Sequence, residues 1–155
     1  MFRVFEMKSS TENIPETEID CIAFTGSVFA LYSEHYKTEY NSAYRPMREA
    51  LGIRPYDWFC DGGASLEENP DIFLLLEDND LVGSVACYKN ELDDLFVRNR
   101  YKGKGYGRKL MLWGMKHIAA QGYKDVILHV AEWNKNAVQM YVNEGFIITG
   151  QEEIG

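Results

Sequence analysis

The first part of the chain mixes periods. Phe2 to Met7 alternates weakly between apolar and polar residues and predicts a short strand, and the polar run Ser9 to Asn13 predicts a turn. Asn13-Ile14-Pro15-Glu16 reads as a helix start, with proline suited to the first turn and Glu16, Glu18 and Asp20 facing the helix dipole. Ile19, Ile22, Ala23, Phe29 and Ala30 continue at roughly helical spacing, weakened at Gly26. Tyr32, Tyr36, Tyr40 and Tyr44 recur every four residues, which on a continuous helix makes one slowly drifting aromatic stripe. Pro46 and Gly52 interrupt the next stretch, and Arg54 to Pro70 reads as a loop-rich connection.

The second half is more regular. Ile72 to Leu76 and Leu81 to Tyr88 predict two strands joined by the polar loop Glu77-Asp78-Asn79-Asp80, and Leu92 to Val97 predicts another. Gly103 to Gly107 is a glycine-rich turn, and Arg108 to Gln121 is a helix stopped by Gly122. Val126 to Ala131 is a strand, Asn136 to Asn143 a helix ended by Gly145, and Phe146 to Thr149 a short final strand. With no repeat, low-complexity tract or linker in between, residues 1–155 read as one α/β domain with a mixed sheet.

Composition narrows the class. At 155 residues, with 46% apolar and 26% charged residues, the chain fits one soluble globular domain. Its 3 Trp, 10 Tyr and 8 Phe offer too much burial for a disordered chain. The longest apolar runs, Val28 to Tyr32 and Ile72 to Leu76, are far shorter than the roughly 20 residues of a membrane helix. The start Met1-Phe2-Arg3-Val4-Phe5-Glu6 lacks the basic and apolar regions of a signal peptide. Cys21, Cys60 and Cys87 show neither a CxxC pair nor metal-ligand spacing, so the expectation is buried reduced thiols, no metal and a cytoplasmic protein.

Charge is distributed unevenly. The net charge is −8, which argues against general nucleic-acid binding, yet Leu95 to Lys124 holds eight basic residues and no acid. The other 125 residues therefore carry −16, and Asp61 to Asp94 alone holds ten acids against one lysine. The basic run surrounds the glycine turn between a strand and a helix start, where inward-facing amides and the helix dipole hold anions. This points to a phosphate-bearing ligand. The turn is not a P-loop, because Arg108 stands five residues after Gly103 and no Ser or Thr follows Lys109. Nor is it a dinucleotide fingerprint, because Arg108 also stands three after Gly105.

Lys102-Gly103-Lys104-Gly105-Tyr106-Gly107 resembles the coenzyme A turn of GNAT-type N-acetyltransferases, Gln/Arg-x-x-Gly-x-Gly/Ala, with Lys102 in the first place. (Arg100-x-x-Gly103-x-Gly105 also matches, two residues out of step.) Val130-x-x-x-Asn134-x-x-Ala137-Val138-x-x-Tyr141-x-x-x-Gly145-Phe146 is similar to the family's C-terminal half, so the resemblance covers about Ile72 to Thr149. It implies a single-domain, largely antiparallel mixed sheet flanked by helices. Residues 1–70 would be a helical acceptor-side region and 71–150 an acetyl-CoA-binding core. The implied activity is transfer of acetyl from acetyl-CoA to a primary amine of a small molecule or protein, in a ternary complex.

The resemblance also implies roles. Leu95, Phe96 and Val97 would run beside the pantetheine arm, and the amides of Lys102, Gly103, Lys104, Gly105, Gly107 and Arg108 would hold the pyrophosphate. Asn134 would hydrogen-bond the coenzyme arm beside Ala137, and Tyr141 would point its hydroxyl at the thioester sulfur. Tyrosine, with a pKa near 10, can protonate a thiolate whose conjugate acid lies near 8.5. Glu91 falls where some members carry a catalytic Glu, with Asp93 second; strand alternation puts Glu91, Asp93, Leu95 and Val97 on one face and Asp94 on the other. His117 and His129 read as structural. The acceptor is expected near Tyr36, Tyr40, Tyr44 and the acidic strand edge, and the acidic remainder suits a cationic amine.

One departure concerns the sheet. The family's fold ends in two strands after Gly-Phe, but only nine residues follow Phe146. The last strand is therefore absent, supplied by a partner chain, or replaced by the N-terminal segment; an unpaired edge there predicts a homodimer. Two other readings stand beside acetyl transfer: a non-catalytic acyl-CoA-binding or sensing module, and a nucleic-acid binder using the basic run.

Overall fold

The computed structural model describes residues 1–60 and 63–155; residues 61 and 62, in the loop expected from Arg54 to Pro70, lie outside the described residues. In chain order the elements are β1 (Phe2–Ser10), β2 (Ile22–Phe24), α1 (Gly26–Leu51), β3 (Asn69–Glu77), β4 (Asp80–Tyr88), β5 (Glu91–Val97), α2 (Tyr106–Ala120), β6 (Asp125–Ala131), α3 (Lys135–Asn143) and β7 (Ile147–Ile154). The seven strands form one sheet in the order β2-β3-β4-β5-β6-β1-β7. Every described pairing is antiparallel except that between β5 and β6. No helix among the described residues is long and apolar enough to cross a membrane.

The sheet separates two apolar layers. On one face α2 buries Leu110, Met111, Met115 and Ile118 against Val85, Cys87, Leu92 and Leu128. The small residue Gly114 lets the helix approach closely: a Cβ there would lie 2.5 Å from Leu92 Cδ2. On the other face α1 sets its tyrosine stripe against Phe24, Phe59, Leu81, Ala86 and Phe96. Tyr36 is fully buried there, with ring centroids 4.7 Å from Phe24 and 5.5 Å from Phe96. Most of the stripe is packing.

Cys21 and Cys87 are buried, but Cys60, expected to be buried too, is exposed because it lies outside both apolar layers; three further expectations need correction. No helix begins at Asn13; among the described residues of the first 70, only Gly26–Leu51 is helical. Glu16, Glu18 and Asp20 are spaced by two, the period of an extended segment, and they reach Lys116, Lys109 and Trp113 along α2 (2.5, 2.6 and 3.2 Å). Nor does Pro46 end α1, which runs on to Gly52 in the left-handed conformation that accepts a helix stop. Proline only removes the donor to the carbonyl of Ser42, a loss tolerated where packing holds the helix.

The third concerns the sheet's end, where one of the three alternatives, the N-terminal segment, holds and the other two do not. The last strand is not missing: β7 extends to Ile154, and β1 lies between β7 and β6, antiparallel to both. The N-terminal segment thus fills the position left after a single C-terminal strand.

Candidate active site

A β-bulge and a parting of two strands create the site. Ser84 pairs with Phe96 and Ala86 with Asp93, so two residues, Asp94 and Leu95, oppose Val85 alone. Asp94 takes up the extra length with φ +46°. Its conformation is held by the amide donating to Asp93 Oδ1 (2.8 Å) and by the Ser84 hydroxyl donating to its carbonyl (3.2 Å). From α1, Tyr40 donates to Asp94 Oδ1 (3.1 Å) and Tyr44 to the Leu95 carbonyl (3.2 Å). The bulge also shifts the alternation: Asp93 opposes Ala86 on the α1 side, while Leu95 and Val97 join the α2-side layer. The expectation that Glu91, Asp93, Leu95 and Val97 share a face, with Asp94 opposite, fails at this bulge.

Beside the bulge, β5 and β6 pair only at Glu91–Ile127 and Leu92–Leu128. Beyond Leu92 the strands are no longer paired, and two cavities open between them. One, of about 590 Å³, is lined by Leu95, Phe96, Val97, Lys102, Gly103, Gly105, Gly107, Asn134 and Ala137 together with Trp133 and α1 residues. The second, of about 370 Å³, is lined by Asp93, Asp94, His129, Tyr141 and an apolar wall. Both share Tyr44, Met47, Leu95, Asn134 and Ala137, so they meet at the bulge.

The glycine turn closes the far end of the larger cavity. Gly103 and Gly105 have φ of +79° and +85°, and a Cβ on either would meet nothing within 4 Å. The first amides of α2 have no side-chain cap, and among the described residues those of Gly103 to Arg108 have no acceptor. This open cradle fits a diphosphate. The basic run contributes less charge than the sequence suggests, because Arg98, Arg100, Arg108, Lys109 and Lys116 are ion-paired with Asp80, Glu144, Glu18 and Glu16. Among the described residues Lys102 and Lys104 stand at the turn without an acidic partner. Lys104 and Arg108 do not line either cavity.

Helix α3 aims Tyr141. Asn134 caps its start by accepting from the Ala137 amide (3.4 Å), leaving the side-chain NH₂ for other partners. At its end the Phe146 amide reaches the Tyr141 carbonyl and the Gly145 amide the Val142 carbonyl, a Schellman stop that needs Gly145 at φ +101°. Phe146 then stacks edge-on to Tyr141 with centroids 5.7 Å apart. Tyr141 is only 8% exposed, lines the smaller cavity, and its hydroxyl makes no hydrogen bond among the described residues. Burial, with the nearby Asp93 charge adding, pushes its pKa up to about 12.

Not all the named side chains converge. Glu91 lines neither cavity but accepts at Oε1 from His129 Nδ1 (3.1 Å), whose Nε2 lies 3.5 Å from Glu6. His129 therefore links Glu91 to the smaller cavity, a role that an isolated histidine gave no sign of in sequence. His117 stacks on Trp113 at 5.3 Å and lines neither cavity. Tyr36 and Tyr40 line neither cavity; Tyr44 lines both.

Asp94 has a measurable signature. Burial, reinforced by the charge of Asp93 and opposed by the Tyr40 hydrogen bond, pushes its carboxyl up to about 6. An acid whose folded pKa exceeds its unfolded value favours the fold while protonated, so stability falls as pH rises from about 4 to about 6. Asp94→Asn is expected to remove this fall and add roughly 2 kcal/mol at pH 7.5. Urea unfolding at pH 4.0 and 7.5 checks it; a fall as large in the variant as in the parent excludes Asp94 as the source.

Comparison with known proteins agrees with this geometry. The family model described as acetyltransferase (GNAT) matches residues 28–146. Over 97 residues the chain is 31% identical to a mycothiol acetyltransferase of Corynebacterium glutamicum, covering 59% of this chain and 30% of the relative. Over 61 residues it is 34% identical to a spermine/spermidine N(1)-acetyltransferase of Bacillus subtilis, covering 39% of this chain and 40% of that protein. The matched segments thus cover less than half the length of these relatives. A GNAT-family acetyltransferase structure from Colwellia psychrerythraea superposes with TM-score 0.65 at 18% identity, over 97% of this chain and 54% of that one. At that identity the match speaks to the fold.

Proposed function

Because the chain belongs to the acetyltransferase (GNAT) family, we propose that it transfers acetyl from acetyl-CoA to a primary amine, with both substrates held at once in the joined cavities. The observation that carries this reading is the meeting of the two cavities at the Asp94–Leu95 bulge, with the unpartnered Tyr141 hydroxyl lining one of them. Residues of the larger cavity fit a thiol-bearing nucleotide. Free amides from Gly103 to Arg108 take the diphosphate, Lys102 adds charge, and the unpaired edge of β5 from Leu95 to Val97 runs alongside the arm with Asn134.

Bound there, acetyl-CoA supplies an activated acyl group. The protein's part is positional and acid–base. The bulge fixes the backbone at Leu95, and Tyr40, Tyr44 and Ser84 hold it rigid. His129, backed by Glu91, receives the proton that the amine sheds before its nitrogen attacks. Tyr141 holds its proton at neutral pH and gives it to the departing sulfur, regaining one from the attacking nitrogen as that becomes the amide.

Release of free thiol from acetyl-CoA, dependent on an added primary amine, tests the reading directly. Cofactor binding without amine-dependent release across a broad panel would instead establish the sensing module. Gly105→Ala forces a Cβ into a left-handed residue costing about 1–2 kcal/mol, so CoA affinity by calorimetry is expected to fall about tenfold. Unchanged affinity would remove the turn from the binding site.

A further inference from the structure

Resting on the acetyl-transfer reading, we propose that the acceptor is a small free amine with one cationic nitrogen on an apolar body, rather than a polyamine or an amino sugar. The smaller cavity, about 370 Å³, is walled by Phe2, Val4, Leu51, Ile53, Val130 and Ile154, and neither Lys nor Arg lines it. Its charge lies at one place. Asp93 and Asp94 line it side by side at the bulge, and among the described residues neither pairs with Lys or Arg.

These two carboxyls are not equivalent. Asp94 is half-buried and engaged by the Tyr40 hydroxyl at 3.1 Å, whereas Asp93 is exposed to the cavity with one oxygen on the neighbouring amide. Adjacent on the bulge, they make one acidic site rather than two separated ones, and one such site calls for one ammonium. Glu91, held by His129 Nδ1 at 3.1 Å, and Glu6, 3.5 Å from its Nε2, do not line the cavity. A second ammonium of a polyamine would therefore meet Phe2, Val4 or Ile53, and sugar hydroxyls would lose their water against the same wall. Tyr141, a residue only 8% exposed whose hydroxyl has no partner among the described residues, lines the same cavity as Asp93, so an amine held by Asp93 lies beside the reacting end.

A homologous series reads the wall. From propylamine to hexylamine, kcat/KM is expected to rise about fourfold per methylene, with spermidine and glucosamine at least about tenfold below hexylamine. A flat or falling series, a lead by spermidine or glucosamine, or transfer only to a leucine-starting peptide overturns the inference and leaves acetyl transfer standing. If no amine drives thiol release, the acetyl-transfer reading fails, and binding still decides the cavity's chemistry. Calorimetry on CoA-loaded protein should then show hexylamine bound, hexanol at least about tenfold weaker, and hexylamine weakened about tenfold by Asp93→Asn. Equal binding of amine and alcohol overturns the assignment of Asp93.

Discussion

Tyr141→Phe is expected to lower kcat for acetyl transfer about 10²–10⁴-fold, with CoA affinity unchanged within about twofold. The substitution deletes one oxygen and keeps the ring, so the edge-on contact with Phe146 and the Schellman stop at Gly145 persist. Among the described residues the deleted hydroxyl has no partner to leave stranded. A pKa near 12 makes protonation of a free thiolate uphill, at first sight a poor match. The same dry surroundings, however, raise the thiolate's conjugate acid too, because burial disfavours every anion near Asp93. What remains is a donor that never ionises at working pH and needs no reorganisation. The measurement is pre-steady-state thiol release in parent and variant, beside a calorimetric titration of CoA. A loss below about tenfold, or one confined to KM, removes Tyr141 from the proton-transfer step.

The legible part of this molecule was the part written in short-range pattern. The strands from Ile72 onward, the glycine turn and the helix carrying Tyr141 arise from period, caps and Gly stops, and each stands within a few residues of its expected place. The spacing from Asn134 to Gly145 placed Tyr141 because a capped three-turn helix has little freedom in register. What escaped was decided by long-range partners. The acids at 16, 18 and 20 looked like a helix start until α2 supplied their counterions. Asp94 fell on the wrong face because a bulge depends on what the opposing strand does, and nothing in Glu91 to Val97 spells out that Val85 faces two residues. The link between His129 and Glu91 needs two strands in parallel register, and the insertion of β1 beside β6 joins residues about 120 apart in sequence. The basic run was legible as charge, but its neutralisation by Asp80, Glu144 and Glu18 was not.

Gly83→Ala should be the most damaging single methyl in the sheet, because it strikes backbone rather than side chain. Gly83 pairs with Val97, and a Cβ there would sit 2.3 Å from the Phe96 carbonyl oxygen and 3.2 Å from Val97 Cα. Leu110 Cδ1, at 3.0 Å, can rotate away; a strand cannot. Relief requires β5 to move at the two residues that line the larger cavity beside the bulge. The expected cost is about 3 kcal/mol or more, a fall in Tm of roughly 10 °C, together with CoA affinity down at least about tenfold below the unfolding range. Gly150→Ala is the matched control: also in a strand, its Cβ would meet only Glu6 Cβ at an ordinary 3.8 Å, and it should shift Tm by no more than about 2 °C. Equal melting of the two variants would mean that β4 and β5 are not held as closely as the site requires. A Gly83→Ala protein that melts early yet binds CoA at parental affinity would separate the strand's packing from its contact with the donor. The fold and the site share one backbone only if both measurements move together, since the parting of β5 from β6 that opens the cavities is possible only while β4 holds the other edge of β5 in place.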